Sequence, residues 1–164
     1  MDMSNEVKVK ISDYRISQGP GRLITVGLGS CVGTLIYDER QKIAGLSHIM
    51  LPESSPFSHK EPLKSAKFAD LALPEMVAEI KNIVPKARLK AKIVGGATMF
   101  DLPLQANQLS IGERNIQAVE KTLQKLGIPI IAREIGGNSG RTMIVDLETF
   151  ATTVRVVNHP IVNI

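Results

Sequence analysis

Apolar positions recur along this chain with two periods. Residues 6–11 (EVKVKI) alternate, and residues 22–28 (RLITVGL), 32–38 (VGTLIYD) and 42–51 (KIAGLSHIML) are short runs dense in branched side chains, which predicts strands. The same reading predicts strands over 89–94, 128–135, 141–147 and 151–157. Residues 63–83 change to helical spacing, with Ala66, Ala69, Leu73, Met76 or Val77, and Ile80 on one face; Pro74 predicts a kink there, or a second helix starting near it. Residues 112–126 (GERNIQAVEKTLQKL) carry the clearest helical stripe, Ile116, Val119, Leu123 and Leu126, and Gly127 ends it. The strands and helices do not alternate strictly, so the fold class is α+β. Residues 136–140 (GGNSG) read as a hairpin turn before a returning strand, and residues 52–62 (PESSPFSHKEP) as a surface loop.

At 164 residues the chain suits one domain spanning 1–164, and a 43% hydrophobic, 22% charged composition suits a water-soluble core. The N-terminal segment lacks the apolar centre of a signal peptide, and no apolar run is long enough for a membrane span, so the expected setting is cytoplasmic, without membrane insertion. A net charge of +4 is spread without a dense basic block or aromatic platforms, which argues against nucleic acid and favours an acidic partner surface. A single cysteine excludes an internal disulfide, and with only three histidines the chain shows no zinc-ligand spacing; no metal and no cofactor are expected.

That cysteine, Cys31, directly precedes the predicted strand 32–38, and one of the histidines, His48, lies on the next, 42–51. A two-residue turn at Glu39-Arg40 would place Cys31 directly opposite His48 in an antiparallel pair, at a Cβ separation of about 5 Å. A neighbouring imidazole can take the thiol proton and make a nucleophile. Gly27, Gly29, Ser30 and Gly33 let a carbonyl approach, and backbone N–H groups near Ser30 and Cys31 can form an oxyanion hole. A third group must orient the imidazole, and Thr25, Ser30 and Ser47 are the candidates. The bland alternative is a buried thiol behaving as a small hydrophobe. Other stretches are open in the same way. Gly95-Gly96 marks a loop beside the site or a tight turn, and Met99 with Phe100 is a partner anchor or core. The 52–62 loop, with Ser54, Ser55 and His59, lines a groove or is plain surface. Glu113 and Arg114 form a functional surface or an acidic helix start. Arg141 is a candidate contact for an acidic substrate helix.

LGSCVGTLIYD at 28–38 and GLSHIMLP at 45–52 resemble the signature of the CheD family, the chemoreceptor glutamine deamidases of bacterial and archaeal chemotaxis. KIVGGATMF at 92–100, IGERN at 111–115 and GGNSGR at 136–141 extend the likeness over nearly the whole chain. The resemblance implies Cys31 as nucleophile, His48 as general base and acid, and Thr25 as the orienting residue. It implies packed mixed β-sheets flanked by two or three helices, similar to the cysteine deamidases of the cytotoxic necrotizing factor type. The implied substrate is a glutamine on the cytoplasmic helical bundle of a chemoreceptor, converted to glutamate through a thioester, with methylesterase as a possible side activity. The family also implies a second role, a regulatory module that binds the phosphatase CheC and so modulates CheY-phosphate.

Overall fold

A computed structural model describes residues 5–59, 62–99 and 108–164. It holds two α-helices and ten strands in two five-stranded sheets among the described residues. The first sheet contains β1 (Glu6–Lys8), β3 (Arg22–Leu28), β8 (Arg141–Asp146), β9 (Thr152–Val156) and β10 (Val162–Asn163), side by side in that order. The second contains, in spatial order, β2 (Tyr14–Gln18), β5 (Ile43–Ile49), β4 (Val32–Asp38), β6 (Lys90–Gly95) and β7 (Ile130–Ile135). Helices α1 (Ala69–Ile83) and α2 (Ile111–Lys125) cover the second sheet.

This makes three layers. Val32, Ile36, Ile43, Ile49 and Ile93 of the second sheet pack against Leu73, Met76 and Ile80 of α1 and Val119 and Leu123 of α2. The opposite face of the same sheet, with Leu35, Tyr37, Ala44, Leu46 and Val94, packs against Leu23, Leu28, Met143, Val145 and Val154 of the first. Every residue of β4 and β5 is therefore buried, which is why these strands read as nearly continuous apolar runs. Between β6 and β7, which pair in parallel, α2 forms the crossover that parallel strands require. Its end is a Schellman motif: Ile128 N–H bonds Leu123 C=O at 3.0 Å and Gly127 N–H bonds Gln124 C=O at 3.1 Å, with Gly127 at φ +71°.

Four details differ from the sequence expectation. The strands β2 and β10 carry too weak a pattern to have been expected, and each is half-buried at a sheet edge. Helix α1 begins at Ala69 rather than near residue 63 and runs on through Pro74 as one helix, while Ala66 lies in a short 3-10 turn before it. The 136–140 turn is no hairpin, because β7 belongs to one sheet and β8 to the other; the glycines carry the chain between layers. Finally, the β4–β5 turn has four residues, not two. The buried Asp38 carboxylate accepts N–H bonds from Arg40 at 2.9 Å and Gln41 at 3.1 Å, closing a wider loop that ends with Lys42 at φ +54°.

Candidate active site

The wider turn moves the strand register. Gly33, not Cys31, lies opposite His48, and Val32 lies opposite Ile49. The shift keeps the side of the sheet: Cys31 is two residues from Gly33, so it stays on the same face as His48. Continued by one residue, the ladder would make the two diagonal neighbours, a spacing of about 7–8 Å between Cα atoms that longer side chains span. The position facing His48 carries no side chain, since it is Gly33.

Both groups look into the layer between the sheets. Leu46 and Ala44 of β5 pack there, and His48 follows them in period two. From the facing sheet, Thr25 on β3 reaches across, its Oγ1 lying 2.7 Å from His48 Nδ1 and 2.7 Å from Val9 C=O. A carbonyl can only accept, so the single hydroxyl proton goes to Val9. The hydroxyl oxygen must then accept from Nδ1–H. That fixes the neutral tautomer with its lone pair on Nε2, and Nε2 is buried without a hydrogen-bond partner among the described residues. A register break in β3 follows directly after Thr25, and Gly27 within it has φ +75°. The strand thereby bulges between Thr25 and the Gly29-Ser30-Cys31 loop, and Leu28 pairs again with Arg141.

Burial works against charge on both groups. It lowers the His48 pKa from 6.5 to about 4 and raises that of the Cys31 thiol. Both shifts favour a neutral thiol and a neutral imidazole over an ion pair.

The loop that carries Cys31 is tied down by its carbonyls. Gly29 C=O accepts from Ala97 N–H at 2.8 Å, Ser30 C=O from Asn115 Nδ2 at 2.9 Å and Cys31 C=O from Gly96 N–H at 2.9 Å. In a trans peptide the following N–H points the opposite way. The N–H groups of Ser30 and Cys31 are therefore turned away from the partners of Gly29 and Ser30. Ser47 is separated from this constellation: it lies on the helix-facing side of β5, paired with Thr34 and buried with a hydroxyl that has no partner among the described residues.

Comparison with known proteins shows the family. Residues 50–156 match the family described as CheD chemotactic sensory transduction. Over 158 residues the chain is 47% identical to a protein of Desulforamulus reducens and 48% identical to one of Moorella thermoacetica. Both matches cover 95% of this chain and 93% of the relative, and both relatives are named probable chemoreceptor glutamine deamidase CheD. The chain belongs to the CheD family.

The remaining CheD motifs surround the cysteine loop. Gly95 and Gly96 have φ +111° and +70°, and a Cβ on Gly95 would sit 2.3 Å from Cys31 C=O. These glycines are both a strand exit and the floor of the site. Met99, 43% exposed, lies over Gly29, where an added Cβ would be 3.0 Å from its Cγ; Phe100 falls outside the described residues. In the IGERN motif, Ser110 caps α2 by accepting from Glu113 N–H at 3.2 Å, and Glu113 and Arg114 are exposed. Arg141 is buried, not presented at the surface; it binds Glu134 through Nε and Nη2, both at 3.2 Å. In the loop after β5, Ser54 is fastened to the Asp70 carboxylate of α1, while His59 is exposed. No cluster of metal-ligating side chains occurs among the described residues, and no helix among them is long and apolar enough to cross a membrane.

The residue that the sequence reading overlooked is Asn115. It is fully buried, and its Nδ2 donates to Ser30 C=O and, at 3.1 Å, to Met50 C=O. The signal was present: Asn115 precedes Ala118, Val119 and Thr122 by three, four and seven residues, so a polar amide occupies the core face of α2.

Proposed function

We propose that the chain is a chemoreceptor glutamine deamidase in which Cys31 is the nucleophile, His48 the general base and acid, and Thr25 the residue that orients the imidazole. The observation that carries this reading is the Thr25–His48 hydrogen bond. It leaves a buried Nε2 lone pair with no partner among the described residues, on the same sheet face as the only thiol of the chain.

The thiol proton passes to Nε2 as Sγ attacks the side-chain carbonyl carbon of a receptor glutamine, so charge appears only as the bond forms. N–H groups of the Gly29-Ser30-Cys31 loop receive the developing oxyanion. His48 returns the proton to nitrogen, the C–N bond breaks and ammonia leaves a thioester. Water then adds to the thioester carbon, giving its proton to His48, and the C–S bond breaks to yield glutamate and the reprotonated thiol. A glutamyl methyl ester fits the same sequence with methanol leaving. No step needs a metal or an organic cofactor. The substrate's place on the cytoplasmic part of a receptor puts the enzyme in the cytoplasm. A role confined to binding CheC leaves the oriented imidazole without a purpose, so catalysis is the favoured reading.

The test is incubation with the cytoplasmic fragment of a receptor from the same organism, followed by peptide mass spectrometry. Glutamine-to-glutamate conversion by the native chain and none by Cys31→Ala is the expected result. Equal conversion by both, or by neither, would overturn the assignment.

A further inference from the structure

The nucleophile and the base sit near the ends of two adjacent strands; His48 is still paired with Gly33, while Cys31 lies beyond the last pair. Cys31 precedes the first residue of β4, and His48 is the penultimate residue of β5. Beyond Val32↔Ile49 the ladder has no further pair, so the ladder alone does not hold the Ser30-Cys31 segment against Met50. One side chain bridges that gap. The Asn115 amide donates one proton to Ser30 C=O and the other to Met50 C=O. Two carbonyl partners admit only the amino end of the amide, so its orientation is fixed by chemistry.

The helix that supplies Asn115 is itself seated on the site. A Cβ on Gly112 would lie 2.3 Å from Ala97 C=O and 2.6 Å from Gly96 C=O, so only glycine lets the first turn of α2 approach this closely. Ala97 and Gly96 are also the residues whose N–H groups hold Gly29 and Cys31. The amide at 115 is thus carried on a rigid element, fixed to the same loop it clamps, and it is shielded from competing water by complete burial.

We infer that Asn115 is a positioning residue, whose amide sets the relation between Cys31 and His48 by clamping the peptide before the nucleophile to the strand end beyond the base. The inference rests on the proposed Cys31–His48 chemistry and adds the residue that holds that pair in register.

Asn115→Ala should lower kcat on a receptor fragment by about 10–100-fold with KM changed by less than about twofold, since small misplacements of reacting groups cost rates of this order. Asn115→Ser, whose hydroxyl can serve one carbonyl, should fall between, and it carries the test if the alanine chain does not fold. Because the chain has one cysteine, iodoacetamide reports on Cys31 alone. The substitution should slow alkylation when His48 is present and leave it unchanged in a His48→Ala background, because the clamp acts through the imidazole. An equal slowing in both backgrounds, or an unchanged kcat in a variant that unfolds cooperatively, would overturn the clamp. Undiminished deamidation by His48→Ala itself would instead remove the catalytic reading, and the clamp with it.

Discussion

Thr25 and His48 belong to different sheets, yet a single 2.7 Å contact between Oγ1 and Nδ1 joins them across the buried layer. The contact decides a tautomer, because the Val9 carbonyl has already taken the hydroxyl proton. Replacing Thr25 by Val keeps the shape and removes the acceptor. Nδ1–H then has no partner, and the tautomer with the proton on Nε2 becomes competitive. The expected loss in kcat is on the order of 100-fold, while Thr25→Ser should retain most activity. Steady-state deamidation of a receptor fragment measures the rates. The imidazole 15N shifts report the tautomer and should change in Thr25→Val alone.

A second consequence concerns acid stability. The His48 pKa is depressed from 6.5 to about 4 by burial, so between those values the unfolded chain binds a proton that the folded chain does not. Stability from this group is complete above the unfolded pKa and is lost as pH falls toward the folded one. The loss between pH 7 and pH 5 should be about 2 kcal/mol. Urea unfolding at the two pH values measures it. His48→Gln should flatten the dependence over that window; an equally steep dependence in the variant would show that other groups cause it.

Gly95 tests how tightly the cysteine loop is held from below. Its φ of +111° is unfavourable for any L side chain, and a Cβ there meets the Cys31 carbonyl at 2.3 Å. Gly95→Ala must displace backbone at Cys31, so both the melting temperature and kcat should fall. Gly127→Ala is the control. It has a similar positive φ, +71°, but open space around the added atom. It should cost about 1 kcal/mol of stability with kcat unchanged.

The sequence disclosed the site better than it disclosed the register. The pattern alone predicts an antiparallel pair of strands with Cys31 just before the first and His48 on the second, and β4 and β5 do pair. The error of two residues arose at Asp38, whose carboxylate builds a four-residue turn that no hydrophobic pattern encodes. It was tolerable because an even shift preserves the side of the sheet. The short strands β2 and β10 escaped the pattern because each has only one or two half-buried apolar side chains. The sheet switch between β7 and β8 was hidden for a different reason: a glycine-rich turn looks the same whether its strands pair or part. Asn115 was legible as a polar residue on an apolar stripe, but its partners, Ser30 and Met50, are separated from it by 85 and 65 positions.

The protonation state of Cys31 gives the last prediction. A preformed thiolate–imidazolium pair would make the thiol reactive even in mild acid, with alkylation levelling off well below neutrality. Here burial raises the thiol pKa and lowers that of His48, and both shifts favour the neutral pair. Iodoacetamide should therefore label the native protein slowly at neutral pH, with the rate still rising through the alkaline range. The single cysteine lets intact-mass spectrometry follow the whole profile. His48→Ala should slow labelling near neutrality, where the imidazole draws off the proton during attack. It should converge on the native rate at alkaline pH, where hydroxide supplies the thiolate. A plateau in acid would show instead that the ion pair exists before substrate binds. Substrate would then meet a charged nucleophile, rather than one that acquires its charge as the carbon–sulfur bond forms.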